Sequence, residues 1–442
     1  MYKVLIITYY WPPGGGPGVQ RCLKLAKYLP GHGVEPVVIT VDPKKTGYPV
    51  TDSSLKDEVP SWLRVIHTPT REPFNAYRFF FGRKNLPRSG FANEGKPGPA
   101  KKAARFLRGN LFVPDARKGW KKYALKACRR LIREETFDAV ITSSPPHSTQ
   151  LIGLTLSREF GLPWIADLRD PWTDLFYNKH FYRLKPAQKK DAAYEKSVLE
   201  QSDSLITVSK SLKQLFLAKS PLLDPNKFHV IPNGYDPDDF TAASDEKPEV
   251  FAISYVGTMT EHYPVSAFIQ AVETLLDKKP TARPEIRFLG QVSEPVVRQL
   301  EASSIWPYVD ISGYVDHPAA IKVMTASSVL LLIIPDVPNN EGILTGKLFE
   351  YLAAKRPVMG FGPAGGDAGK IISDCESGTF FGYHEGRKAG EWLTGIYDLY
   401  EHHKEVTAGN ENTMQYSRKS QAGQLADILT DSIKNSDQNG KK

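Results

Sequence analysis

The sequence predicts an α/β protein built as two doubly wound domains in series, and three observations carry that prediction. At 442 residues the chain exceeds what one hydrophobic core comfortably organises, so two domains are expected. Short apolar runs alternate with stretches whose apolar residues recur at helical spacing, the mark of parallel strands joined by crossover helices. This alternation runs twice, once on each side of an acidic, proline-containing break at 236–248.

The first series opens with an apolar run at 4–9, the turn WPPGGGPGVQR, and a helical pattern carried by Val19, Leu23, Leu25, Ala26 and Leu29. Residues 36–41 return as a second strand, which makes a right-handed βαβ unit. A third strand is expected at 64–68, after which 69–114 reads as too polar and too broken by Gly and Pro for core elements, a basic surface insertion. Alternation resumes with helix 118–134, strand 139–143, helix 147–160, strand 164–167, a loop-and-helix stretch to 201, strand 204–208, helix 210–218 and strand 229–231. The second series runs strand 252–256, helix 265–276, strand 286–289, helix 295–303, strand 309–311, helix 319–325 and strand 329–334. It ends with a helix inside TGKLFEYLAAKRPV, strand 358–361, helix 368–373, strand 380–381 and helix 387–403. The expected organisation is a first domain at 1–240, a second at 250–420 and a polar tail at 421–442.

A chain that is 41% hydrophobic and 24% charged has the balance of an ordinary soluble globular protein. No apolar run approaches bilayer-spanning length, and MYKVLIITYY leads into Gly and Pro rather than a small-residue cleavage site, so a cytoplasmic protein is expected. Cys22, Cys128 and Cys375 are too few and too dispersed for a disulfide framework or a zinc cluster. Charge is divided: 38 Lys and Arg stand against 23 Asp and Glu through Phe240, then 19 against 26, so the two halves address different partners. Within 71–133 the ratio is 18 basic to 3 acidic, interleaved with Phe79, Phe80, Phe81, Phe91, Phe106, Phe112 and Trp120. That composition suits an anionic membrane surface or a nucleic acid, and equally a solvated loop beside a basic helix face.

Open parallel sheets bind ligands beyond the carboxyl ends of their strands. After the first strand, Gly14, Gly15, Gly16 and Gly18 let backbone N–H groups approach an anion at the start of the next helix. The spacing is not GxGxxG, which disfavours a dinucleotide. SSPPHSTQ puts His147 at a helix start, where it either positions a substrate hydroxyl or caps the helix. DLRDPWTD offers Arg169, Asp170 and Asp174 with Trp172, either a sugar or phosphate site walled by an aromatic or a self-satisfied Asp/Arg network. In the second series Gly257, Thr258 and Gly290 follow the first two strands and permit close backbone approach to phosphate or base. Asn339, Asn340, Glu341 and Gly342 supply the hydrogen-bonding groups a hexose needs.

The helix in TGKLFEYLAAKRPV has Thr345 as its cap and an apolar stripe of Leu348, Phe349, Leu352 and Ala353. Glu350 lies beside that stripe, where a carboxylate is costly unless paired, and two ribose hydroxyls suit its two oxygens. Lys347 sits in the first turn, out of place unless an anion such as a diphosphate shares the helix N-terminus. A structural salt bridge for Glu350 and a solvated Lys347 form the competing reading.

These landmarks resemble GT-B glycosyltransferases, specifically bacterial members of glycosyltransferase family 4. KVLIITYYWPPGGGPGVQR, SSPPHSTQLIGL, PWIADLRDPW, SDSLITVSKSL, VIPNGYDPDDF, YVGTMT and TGKLFEYLAAKRPV follow the family's order, from Tyr2 to about His403. The resemblance implies two Rossmann-like domains facing a central cleft. It implies retaining transfer of a hexose from a nucleoside-diphosphate sugar, UDP-sugar favoured, to a saccharide or lipid-pyrophosphate-linked acceptor in surface-polysaccharide biosynthesis. The protein would then be cytoplasmic and peripheral at the inner face of the membrane, bound to its anionic surface, with no nucleic acid as partner. No cofactor is expected beyond the donor as co-substrate, and no metal, since Asp236, Asp238 and Asp239 read as linker turn residues rather than a metal-binding pair.

By this resemblance the carboxylate at Glu350 binds the nucleotide ribose and the histidine at His147 approaches the donor sugar. The expected catalytic set is His147, Asp170 and Lys347. The donor side is Gly257, Thr258, Gly290, Asn340, Glu341, Gly342, Leu344, Thr345, Lys347 and Glu350; the acceptor or phosphate side is Gly15, Gly16, Gly18, Arg169 and Trp172. Two departures stand out. The family's second glutamate, eight residues before the ribose carboxylate, falls on Gly342, with Glu341 one position earlier. The usual Arg and Lys after the first strand of the second domain are missing from GTMTEHYPV, so Lys347 is expected to take over the phosphate role. A sugar-nucleotide epimerase on the same fold and a non-catalytic polysaccharide-binding scaffold are the alternatives.

Overall fold

The computed structural model describes residues 1–48, 50–71, 98–241, 249–403 and 405–438. They divide into two compact units, Met1–Pro232 with Gln421–Lys442, and Asn233–Ser420.

In the first unit seven strands form one parallel sheet: β1 (Tyr2–Thr8), β2 (Val34–Val41), β3 (Arg64–Thr68), β4 (Ala139–Ser144), β5 (Trp164–Leu168), β6 (Ser204–Thr207) and β7 (Phe228–Val230). Their order is β3-β2-β1-β4-β5-β6-β7. Helices cover both faces, so the central strands are apolar along their length rather than alternating. Leu5 and Ile7 point into one core with Cys128, Leu131, Ile152 and Trp164. Val4 and Ile6 point into the other with Leu23, Ala26, Leu425 and Leu429. The order reverses between β1 and β4, so the glycine-rich turn and the SSPPH loop leave the sheet side by side at its switch point.

The second unit repeats the plan with six parallel strands: β8 (Ala252–Val256), β9 (Glu285–Leu289), β10 (Val309–Ser312), β11 (Val329–Ile333), β12 (Val358–Phe361) and β13 (Gly378–Phe381). Their order is β10-β9-β8-β11-β12-β13. One face packs Tyr255, Leu331 and Phe361 on Phe268, Val272 and Leu393. The other packs Leu330 and Leu332 on Leu348, Leu352 and Ile372. Here the switch point lies between β8 and β11, and it collects the turns after β8 and the loop that precedes the helix Gly346–Ala353.

All thirteen expected strands are present, and the doubly wound class is as read from the sequence. Two expectations are corrected. The stretch 69–114 contains a helix, Pro99–Leu111, whose Gly109 lies so close to Phe181 that a Cβ would stand 2.5 Å from the Phe181 carbonyl. Its Ala, Lys, Arg and Leu are good helix formers, but its arginines face inward and its apolar residues outward, so it lacks the pattern of a core helix. The supposed polar tail at 421–442 is mostly the helix Arg418–Gln438, which buries Ala422, Leu425, Ala426, Ile428, Leu429 and Ile433 in the first unit. Its apolar residues fall on one stripe, but Gln, Asp, Thr, Ser and Lys stand between them along the chain and give the segment a polar look. Phe79, Phe80, Phe81 and Phe91, and the 242–248 part of the expected break, lie outside the described residues. No described helix is long and apolar enough to cross a membrane.

Candidate functional site

Each unit carries its own set of unusual polar residues at its switch point. In the second unit the helix Gly346–Ala353 is held to the end of β8 by the buried Tyr351 hydroxyl, which accepts a hydrogen bond from the Val256 N–H at 2.9 Å. Thr345 stands at the N-cap position but its side chain caps nothing, and its buried Oγ1 has no hydrogen-bond partner. Lys347 in the first turn reaches back over the sheet end, its Nζ 3.7 Å from the centroid of the Tyr255 ring. Among the described residues this ammonium has neither a hydrogen-bond nor an ion-pair partner. Burial pushes its pKa down to about 7, against the upward pull of Glu350 one turn on.

Glycine makes room for that lysine. Gly257, at φ +124°, would place a Cβ 3.0 Å from the Lys347 Nζ, and Gly290, at φ +120°, would drive one to 2.5 Å from the Gly257 carbonyl. A cation, a helix N-terminus with an unsatisfied hydroxyl and two side-chain-free turns thus converge, an arrangement built for an anion.

Glu350 is not solitary. Its Oε1 lies 3.0 Å from His317 Nε2, both side chains 17% exposed. His317 opens the helix His317–Thr325, capped by Asp316. The pairing holds one carboxylate oxygen and leaves Oε2 for a second partner. Other donor-side expectations fare differently. Both donors of the Asn340 amide are spent on the Pro335 carbonyl and the Tyr383 hydroxyl, at 3.0 and 2.9 Å, so this side chain fixes its loop instead of presenting its amide to a sugar. Glu341 is exposed, Gly342 half-buried and Leu344 buried, its carbonyl accepting from Asn233 Nδ2 at 3.5 Å. Thr258 is exposed and its carbonyl accepts from the Tyr255 hydroxyl at 2.8 Å. Asp236 accepts from the Asp238 N–H and caps a short 3-10 turn.

In the first unit the helix Pro17–Tyr28 begins at Gly16, at φ +98°, with neither a side-chain cap nor an acid in its first turn. Of the glycines before it, Gly14 and Gly15 donate their N–H groups to the Trp11 and Val50 carbonyls, so Gly15 has no N–H to offer an anion. Gly18 serves Arg169: a Cβ there would lie 2.1 Å from the guanidinium. Arg169 bonds the Pro145 carbonyl at 3.2 Å and keeps a buried Nε without a partner.

His147 is 6% exposed, and neither ring nitrogen has a hydrogen-bond partner. Its ring stacks on Trp172 at 4.6 Å, 12° from parallel. Burial, reinforced by Arg169, Arg183 and Lys219, pushes its pKa down to about 3, so the imidazole is neutral and offers one donor and one acceptor. Trp172 is only 1% exposed, and its indole N–H is committed to Asp191 at 2.8 Å. It cannot wall a bound sugar; its face carries His147. Asp170 is half-buried, and burial raises its pKa despite Arg169. Asp174 pairs with Lys219.

Some supporting residues carry no signal in the sequence. Arg21 donates from Nε and Nη2 to the buried Asp167 at 3.1 and 2.9 Å, tying the helix after the glycine-rich turn to β5. Asp115 accepts from the Ser148 N–H and hydroxyl at 2.7 and 2.9 Å and so fixes the turn that carries His147. Arg21 ends the GVQR motif, but nothing in the sequence pairs it with a residue so far along the chain.

Comparison with known proteins bears on the fold and the family. Among solved structures, trehalose-6-phosphate synthase from Burkholderia multivorans is 11% identical, with TM-score 0.58 and coverage of 98% of this chain and 99% of that one. HepE from Anabaena, solved with UDP-glucose, is 12% identical at TM-score 0.52, with 99% of both chains covered. WaaG, a glycosyltransferase involved in lipopolysaccharide biosynthesis, is 15% identical at TM-score 0.52, with 98% of both covered. At such identities the likeness establishes the fold, which is GT-B. A search of curated protein sequences finds no match. The family model described as Glycosyltransferase Family 4 matches residues 16–239, half of the chain, from the glycine-rich turn through the SSPPH and DLRDPW loops; this protein is a glycosyltransferase and belongs to glycosyltransferase family 4.

Proposed function

We propose that the enzyme is a retaining, metal-independent hexosyltransferase that uses a nucleoside-diphosphate sugar, UDP-sugar favoured, and a saccharide or lipid-linked saccharide acceptor in surface-polysaccharide assembly. The observation that carries this reading is Lys347, an ammonium with no ion-pair partner among the described residues, held against the Tyr255 ring beside the N-terminus of its own helix and the bare turns at Gly257 and Gly290. A diphosphate supplies the missing counter-charge, and the same ammonium compensates the charge that develops as the diphosphate departs. Glu350, oriented by His317 through Oε1, accepts from the nucleotide ribose through its other oxygen. The neutral His147 orients a sugar hydroxyl, Asp170 orients the acceptor, and the acceptor oxygen enters on the face the diphosphate leaves, without a covalent intermediate. HepE, with its bound UDP-glucose, favours UDP as carrier, and WaaG, by its role in lipopolysaccharide biosynthesis, favours a surface glycan as product. An acceptor on a lipid carrier would bring the protein to the inner face of the membrane.

Calorimetric titration with UDP tests the reading. The wild-type protein binds UDP, and Glu350→Ala loses donor turnover while keeping its circular dichroism. Full activity in Glu350→Ala removes the ribose assignment; absence of UDP binding by the wild type leaves a scaffold, and turnover of donor without acceptor leaves an epimerase.

A further inference from the structure

The helix Pro99–Leu111 is amphipathic with its faces reversed. Arg105 is only 7% exposed, Arg108 lies 5.1 Å from the Phe181 ring centroid with its pKa lowered by burial, and Gly109 is in contact with Phe181. Its outward positions are Lys102, Ala103, Phe106, Leu107 and Leu111, which line one side of the helix. Leu107 is 53% and Leu111 60% exposed. Asn110 fastens this helix to a second exposed apolar turn by donating to the Tyr182 carbonyl at 3.2 Å and accepting from the Leu184 N–H at 2.7 Å; Tyr182 and Leu184 are themselves exposed. Lys118 donates to the Leu111 carbonyl at the helix end. The exposed Lys102, Lys122, Lys185, Lys189 and Lys190 lie on segments 98–122 and 176–190, whose sole acid, Asp115, is bound to Ser148.

A soluble protein leaves single apolar residues exposed at no great cost, but a whole helix face turned outward inside a cationic surround marks a docking surface. We propose that Phe106, Leu107 and Leu111, with Tyr182 and Leu184, form the face by which this enzyme seats on an anionic lipid bilayer, apolar side chains entering the headgroup boundary while the surrounding lysines meet lipid phosphates. Charge complementarity selects this occupant: apolar side chains alone suit any hydrophobic partner, and the excess of cations selects an anionic one. The proposal rests on the reading that the acceptor is presented at a membrane. It gives that attachment residues of the first unit, whereas the donor residues belong to the second.

The test is sedimentation of the full-length protein with vesicles of phosphatidylglycerol and phosphatidylcholine, and with phosphatidylcholine alone. Wild type is expected to bind the anionic vesicles at low salt, to bind neutral ones far more weakly, and to lose affinity as salt rises. Phe106→Ser with Leu107→Ser and Leu111→Ser should lower anionic-vesicle affinity by about tenfold or more at unchanged melting temperature and unchanged UDP binding. Leu107→Glu alone, at an exposed position, is the backup should the triple variant misfold, and it should act in the same direction. Unchanged vesicle binding in both variants overturns the proposal, as does wild type that binds no vesicle. Dimerisation in solution that the same substitutions abolish, with no vesicle binding, assigns the face to a second copy and equally overturns it. UDP titration, run in parallel on every variant, reports separately on the donor reading.

Discussion

A lysine whose pKa burial lowers to about 7 and that has no ion-pair partner among the described residues is a group waiting for an anion, and this makes Lys347 measurable. Above pH 7 the free enzyme carries it largely neutral, whereas a bound diphosphate stabilises the ammonium and raises its pKa. UDP binding between about pH 7 and 10 is therefore expected to take up close to one proton, and UDP affinity to fall as pH rises through this range. Calorimetry in buffers of different ionisation enthalpy measures the proton directly; Lys347→Met should abolish the uptake and weaken UDP binding by roughly ten- to hundredfold. Stability carries the opposite sign. The folded pKa lies below the unfolded value of 10.5, so the unfolded chain binds more protons between about 7 and 10.5, and this residue's contribution to stability rises with pH across that window. Gly257→Ala is the complementary change: strain at φ +124° costs about 1–3 kcal/mol, and its methyl displaces the lysine, so melting temperature and UDP affinity should fall together. Lys347 and Glu350 are legible in the sequence because charges in the first turn and beside an apolar stripe violate helix chemistry. His317 is not, because it meets Glu350 only after the sheet brings another helix alongside. Trp172 misleads for a related reason: sequence shows an aromatic after a strand, but not that its indole is already bonded to Asp191 and its face already covered by His147.

At the scale of elements, the helix Gly346–Ala353 is eight residues long and too short to be stable by itself, so its position depends on what anchors it. Leu348, Phe349 and Leu352 bury its inner side, and the Tyr351 hydroxyl accepts from Val256 N–H where β8 ends. Tyr351→Phe keeps the ring but leaves that buried N–H unsatisfied, at a cost of about 1–3 kcal/mol. Because Lys347 and Glu350 ride on this helix, the variant should raise KM for the donor several-fold beyond its effect on melting temperature, which kinetics and calorimetry on one preparation will separate. The central strands, such as YKVLIIT and VLLLI, are legible because a sheet covered on both faces favours unbroken Val, Ile and Leu there, a signal strong over even four residues. The helix Pro99–Leu111 is not, because its buried side carries arginines and its apolar side faces outward, the reverse of the pattern that identifies a core helix.

At the scale of the whole molecule, the chain closes its first unit with its own last helix. Residues 421–442 belong with 1–232, although the entire second unit intervenes. Leu425, Ile428, Leu429 and Ile433 from Arg418–Gln438 enter the core that holds Val4, Ile6, Ile141 and Ile165, and Ser432 bonds Ser204 of β6 at 2.9 Å. Burying four such side chains is worth about 1.5–3 kcal/mol each, or roughly 6–12 kcal/mol in all. That is comparable to the entire net stability of a typical domain, about 5–15 kcal/mol. A polar tail could be removed without effect; this helix cannot. Truncation after Ser420 is expected to expose the apolar face of β1, β4 and β5, lower the melting temperature of the first unit by well over ten degrees or leave it aggregated, and abolish transferase activity. The second unit, whose sheet and both cores lie within 233–420, should still fold when expressed alone and retain measurable UDP binding through Lys347 and Glu350. Differential scanning calorimetry of the full chain and of the fragments 1–420 and 233–420 distinguishes the outcomes: a 1–420 fragment that melts like the full chain would show that the last helix covers the first unit without supporting it.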